Sequence, residues 1–200
     1  NEAQWIADQG FAVIIADGRG SPGRGPAWER TIKSDLATFP LQDQVDALHG
    51  IAELWPADID TDRVGITGWS FGGYLAALAV LRRPDVFHAA VAGAPVTEWR
   101  LYDSAYTERY LGDPVTAAAN YDATSLLPLA PGLQRPLMII HGFADDNVVV
   151  AHSVQLSSAL TAAGCPHTFL PLANVTHMTP QEEVAENLLK LEVEFFIRNL

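Results

Sequence analysis

Ser70 lies in the run Gly68-Trp69-Ser70-Phe71-Gly72, a spacing in which a serine hydroxyl can serve as a nucleophile. Glycines two residues to either side let a strand and a helix approach closely around a strained turn, which lifts the hydroxyl to the end of a sheet. A hydroxyl attacks poorly at neutral pH unless an imidazole takes its proton. Six histidines compete for that task. His177, in residues 173–180 just before the last helical pattern, fits the chain order nucleophile, acid, base. His141 closes an apolar run, His167 opens another, and His49, His88 and His152 sit in or beside predicted elements, so these five read as structural. The acid is expected after the run that ends at His141-Gly142. The loop Phe143-Ala144-Asp145-Asp146-Asn147-Val148 offers two adjacent carboxylates there, and spacing does not choose between them. One holds the imidazole; the other is free to cap the following helix. The histidines lack a metal-binding spacing such as H-E-x-x-H and the single cysteine is isolated, so no metal is expected.

The elements that must position these groups follow from hydrophobic patterning. Short apolar runs at residues 11–16, 64–67, 89–92, 137–140 and 168–172 are bounded by Gly, Pro or Asp and read as strands covered on both faces. Between them, Leu41, Val45, Leu48, Ala52 and Trp55 repeat at helical spacing, as do Val154, Leu156 and Leu160 and the residues of 182–199. Strands alternating with helices predict an α/β fold with a mostly parallel sheet. Two stretches break the alternation. Residues 17–26, Asp17-Gly18-Arg19-Gly20-Ser21-Pro22-Gly23-Arg24-Gly25-Pro26, predict a rigid surface loop, since neither a phosphate-binding G-K-[ST] nor a dinucleotide fingerprint is present. Residues 95–131 carry Trp99, Tyr102, Tyr106, Tyr110 and Tyr121 with little strand character, and predict a pocket-forming insertion within one domain spanning 1–200. The spacing of Trp99, Tyr102 and Tyr106 predicts one helical face.

Composition excludes several partners. The chain has 200 residues, 48% of them apolar, which suits one domain with a substantial core, and no uninterrupted apolar run reaches membrane length. Twelve basic against 24 acidic residues give a net charge of −12, the wrong sign for a nucleic-acid surface. The lone Cys165 cannot form an internal disulfide, so no oxidising compartment is needed and a cytoplasmic location is expected. The amino-terminal stretch from Asn1 to Trp5 lacks the regions of a signal peptide and begins without methionine, which predicts that something upstream is missing.

Taken together, Asp17-Gly18-Arg19-Gly20-Ser21, the run from Gly68 to Tyr74, Ala94-Pro95-Val96-x-x-Trp99, Tyr102-Asp103-Ser104-Ala105-Tyr106-Thr107-Glu108-Arg109-Tyr110 and His141-Gly142-x-Ala144-Asp145-Asp146-Asn147-Val148 resemble the prolyl oligopeptidase family of serine peptidases, and within it the dipeptidyl peptidase IV branch. The resemblance implies an α/β-hydrolase fold, truncated at its amino-terminal side, with Ser70 as nucleophile, Asp145 as acid, His177 as base and no cofactor. It implies that Phe71, Val96, Trp99, Tyr102, Tyr106 and Val148 wall a pocket for proline, and that Asn147 binds a substrate carbonyl. The branch has a tyrosine where this chain has Phe71, whose backbone N–H still suits an oxyanion hole. A narrow aromatic slot is physically apt for a flat pyrrolidine ring. In that family a second oxyanion donor and the acidic residues that hold the substrate's amino terminus lie upstream, the latter on a β-propeller; a further strand would sit between those at 11–16 and 64–67.

The expected activity is therefore release of N-terminal Xaa-Pro or Xaa-Ala dipeptides through an acyl-enzyme. Alternatives are an acylaminoacyl peptidase or carboxylesterase of the same fold, and a non-catalytic fragment acting in folding or dimerisation. In the last case Leu188, Leu191, Phe195 and Phe196 of the terminal helix would face a second copy of the chain.

Overall fold

A computed structural model describes residues 2–179 and 181–200. Asn1, in the stretch read for a leader, and Pro180, which closes the His177 loop, lie outside the described residues. In chain order the helices and strands are α1 (Glu2–Asp8), α2 (Pro26–Glu29), α3 (Thr38–Leu54), β1 (Gly65–Trp69), α4 (Phe71–Arg82), β2 (Ala89–Gly93), α5 (Ser104–Leu111), α6 (Ala118–Thr124), β3 (Leu137–Gly142), α7 (Ala151–Ala162), β4 (Thr168–Leu172) and α8 (Glu182–Asn199).

The four strands form one sheet in the order β1-β2-β3-β4, and every pair is parallel. Strands β2 and β3 are buried along their whole length, which is why their sequences are continuously apolar rather than alternating. Their side chains divide between two cores. Ala90, Ala92, Leu137 and Ile139 pack with α3, α4 and α7, whereas Ala89, Val91, Met138 and Ile140 pack with Leu188 and Phe196 of α8. Because all strands run the same way, every loop that leaves a strand's carboxyl end emerges at one edge of the sheet, where α/β proteins build their sites.

Three expectations are corrected. Residues 11–16 form no strand: a ladder needs a neighbour, and among the described residues none pairs with this segment. Phe11 instead packs edge-on against Phe196, ring centroids 6.4 Å apart, and Ile15 is 81% exposed. Trp99, Tyr102 and Tyr106 do not share a helix. Trp99 sits in a 3-10 turn, the backbone is extended at Tyr102 and Asp103, and Asp103 then caps α5 by accepting the Tyr106 N–H at 2.8 Å. The face of α8 read as a dimer surface is largely core, since Leu188 and Phe196 cover the sheet; Leu191 and Ile197 are the exposed apolar residues of that helix.

The Gly-rich loop after residue 16 is held down rather than free. Arg19 donates from Nε to both Asp43 oxygens at 2.9 and 3.0 Å, and its guanidinium lies 4.3 Å from the Phe39 ring centroid. Residues 95–131 hold α5, α6 and two 3-10 turns with no strand. No helix among the described residues is long and apolar enough to cross a membrane.

Candidate active site

Ser70 is the single residue between β1 and α4, with φ 60° and ψ −116°. A side chain at positive φ is strained by about 1–3 kcal/mol and persists only where the surroundings impose it. Here they do. The Ser70 N–H donates to Gly93 O at 2.8 Å, and Ser70 O accepts from Tyr74 N at 2.9 Å. A Cβ on Gly68 would stand 2.5 Å from the Gly72 carbonyl carbon, and one on Gly73 would stand 2.2 Å from Gly93 O. Of the two glycines flanking Ser70 in the motif, Gly68 is thus required by space. On the helix side the close packing falls on Gly73, because a Cβ on Gly72 would meet nothing within 4 Å.

Asp145 and His177 come from the loops after β3 and β4. The Asp145 side chain is fully buried, whereas the His177 ring is 16% exposed. The carboxylate divides its oxygens: Oδ1 accepts the Asn147 and Val148 N–H groups at 3.0 and 2.8 Å, and Oδ2 accepts from His177 Nδ1 at 2.8 Å. A carboxylate oxygen facing Nδ1 assigns the ring proton there and leaves Nε2 with its lone pair, the tautomer a general base needs. Asp146 is exposed and makes none of these bonds. The cap-like bonds expected of it belong to Asp145.

The tight turn at Ser70 between β1 and α4, the elbow, also touches the histidine loop directly, because Trp69 Nε1 donates to the His177 carbonyl at 2.7 Å. Sequence reasoning passed over Trp69 and Gly73 and read His141 as structural. Trp69 occupies the unconstrained position of the motif, and a contact across 108 residues has no local signal. His141 is fully buried and its Nε2 lies 3.4 Å from Asp145 Oδ2. Burial holds its imidazole below the ordinary range.

The aromatic residues meet as expected, though from separate elements. Trp99 is fully buried; Tyr106 stacks on it with centroids 6.0 Å apart and planes 14° apart, and Tyr102 meets it edge-on at 6.1 Å. Phe71, the first residue of α4, lies 6.1 Å from Trp99, and Val96 and Val148 are buried beside this cluster. Burial pushes the Tyr106 phenol up to about 12, so it stays neutral and does not offer a charge to the slot. The Tyr102 hydroxyl donates to Asn147 Oδ1 at 3.0 Å, which leaves the amide hydrogens of Asn147 to donate elsewhere. A groove of about 280 Å³ runs along Phe71, Leu75, Tyr106 and Tyr110 to the loop carrying Gly18 and Ser21. A larger one, about 490 Å³, lies at the amino ends of β3 and β4 beside Arg135 and Arg198, away from all of these residues.

Known proteins resemble this chain in sequence and in fold. The model of the prolyl oligopeptidase family matches residues 1–200. Mouse dipeptidyl peptidase 8 is 42% identical over 165 residues, 81% of this chain and 18% of the relative. Bovine dipeptidyl peptidase 4 is 37% identical over 169 residues, 82% of this chain and 22% of the relative. The crystal structure of Porphyromonas gingivalis dipeptidyl peptidase 4 superposes with a TM-score of 0.86 at 35% identity, covering 92% of this chain and 26% of that one. The chain therefore spans about a fifth of the length of these curated relatives, and its fold is that of an α/β-hydrolase catalytic domain.

Proposed function

This chain belongs to the prolyl oligopeptidase family, and from that premise we propose that it carries the catalytic residues of a serine exopeptidase that releases N-terminal Xaa-Pro or Xaa-Ala dipeptides. One observation carries the reading: a buried carboxylate holds His177 Nδ1 at 2.8 Å, at the same sheet edge as a serine kept at positive φ.

In the proposed reaction Ser70 Oγ attacks the carbonyl carbon of the second residue while His177 Nε2 takes the hydroxyl proton. Asp145 keeps the ring in the required tautomer and stabilises the imidazolium. Charge on the carbonyl oxygen is met by the Phe71 N–H, at the amino end of α4, where unpaired N–H groups point outward. The imidazolium then protonates the leaving amine, and the acyl-enzyme is hydrolysed by water activated at the same nitrogen. The slot of Val96, Trp99, Tyr102, Tyr106, Val148 and the Phe71 ring takes the proline, and Asn147 donates an amide hydrogen to a substrate carbonyl.

Dipeptidyl specificity is supported by the names of the relatives, and residues 1–200 are proposed to work as one catalytic domain, residues 95–131 forming its pocket insertion, within a longer polypeptide. A panel tested on the full-length protein decides between readings. Gly-Pro amides should turn over far faster than acetyl-alanyl amides or simple esters, and a preference for acetylated substrates would move the assignment to an acylaminoacyl peptidase.

A further inference from the structure

We infer that His152 and Ser153, adjacent at the start of α7, form one buried brace that positions both halves of the site, the acid loop through His141 and the pocket wall through the backbone of Thr97 and Glu98. The inference rests on the proposed function above and adds residues to it that touch neither substrate nor nucleophile. Both are fully buried, and being consecutive on a helix they point to different sides.

The Ser153 arm runs toward the acid. His141 Nε2 lies 2.7 Å from Val148 O, and a carbonyl only accepts, so Nε2 carries the ring proton. Nδ1 is then the acceptor, and it takes the Ser153 hydroxyl at 2.6 Å. The ring so oriented pins the carbonyl of Val148, whose N–H pins Asp145 Oδ1 at 2.8 Å. The same ring edge lies beside Oδ2, the oxygen that faces His177. Ser153 thus reaches the acid through three hydrogen bonds, by way of the His141 ring and the Val148 backbone.

The His152 arm runs toward the pocket. Its Nδ1 accepts the N–H groups of Thr97 at 3.1 Å and Glu98 at 3.4 Å, and its carbonyl accepts the Thr97 hydroxyl at 2.7 Å. Thr97 and Glu98 are the two residues between Val96 and Trp99, so three bonds from one histidine hold the segment that presents both wall residues. With Nδ1 accepting, Nε2 carries the proton, and the bonds at Nδ1 are the ones that tie the ring to the pocket wall.

The two arms end on different chemistry, so they should separate in kinetics. In the full-length protein, Ser153→Ala is expected to lower kcat for a Gly-Pro amide about tenfold, with KM and the proline-over-alanine preference within twofold. For the other arm, asparagine places an oxygen near the position of Nδ1 and glutamine places its head group near Nε2. His152→Gln should cut the proline-over-alanine preference in kcat/KM about tenfold, and His152→Asn should restore most of it, with thermal melting confirming that both variants fold. Parallel losses of kcat and preference in the Ser153 and His152 variants, or equal behaviour of His152→Asn and His152→Gln, overturn the brace. A wild type that turns over none of these substrates overturns the proposed function and the brace with it, and so is distinguishable from failure of the brace alone.

Discussion

The elbow and the acid loop sit at the same edge of one sheet and are held by opposite means. At the elbow, shape is set by missing atoms: Gly68 and Gly73 leave room for the Gly72 and Gly93 backbones, and Ser70 is forced to positive φ. At the acid loop, shape is set by buried polar groups: Asp145, His141 and Ser153 are each covered and each bonded. A site held by close packing should fail when an atom is added. One held by hydrogen bonds should fail when a donor or acceptor is exchanged at constant volume, or when pH changes.

The largest expected effect tests the polar half. Asp145→Asn keeps the volume and removes the carboxylate that fixes the His177 tautomer, so kcat should fall by about 10⁴. Asp146→Asn, exposed and unbonded, should change kcat little. Steady-state kinetics on a Gly-Pro amide measures both, and equal losses would erase the distinction between the two aspartates. Next comes the steric half. Gly73→Ala drives a Cβ into Gly93 O and should cost about 3 kcal/mol of stability, read as a shift in urea midpoint; an unchanged midpoint would mean that close packing does not hold the elbow. Trp99→Ala or Tyr106→Ala opens the slot beside both halves and should lower the preference for proline about tenfold to a few hundredfold in kcat/KM, equivalent to about 1–3 kcal/mol.

The last contrast is a difference of sign with pH. Burial lowers His152, on the polar side, to about 4. Its unfolded form binds more protons between pH 6.5 and 4, so stability present above that window is lost as pH falls, by up to about 1.4 kcal/mol per pH unit. Glu192 of α8 accepts the Thr67 hydroxyl of β1 at 3.1 Å, beneath the elbow. Burial raises it to about 7, so its folded form binds more protons, and stability is lost as pH rises from 4.5 to 7. Urea titrations across this range should show His152→Asn flattening the acid limb and Glu192→Gln flattening the opposite one. Two variants with the same pH signature would contradict the contrast.

Legibility in the sequence follows the same division. Residues 89–92 and 137–140 are readable as strands because burial on both faces leaves a continuous apolar run. Residues 11–16 have the same composition and form no ladder, because pairing depends on a neighbour that composition does not reveal. Motif and chain order single out Ser70 and His177 as candidates. Asp145 and Asp146 are indistinguishable to spacing, since the choice depends on which carboxylate turns toward the Asn147 and Val148 N–H groups. His141 and His152 read as plain structural histidines because their partners, Ser153, Thr97 and Glu98, are specified only once β3, α7 and the loop after β2 are packed together. The aromatic slot is readable as a cluster but not as a shape: the Asp103 cap breaks the helix that the spacing of Trp99, Tyr102 and Tyr106 suggests.

Whether Ser70 is the atom that becomes acylated is tested most directly by treating the full-length protein with a fluorophosphonate probe and locating the adduct by peptide mass spectrometry. The adduct is expected on Ser70 in the wild type and absent in Ser70→Ala. An adduct on another residue, or equal labelling of Ser70→Ala, would contradict the assignment of the nucleophile and the mechanism built on it.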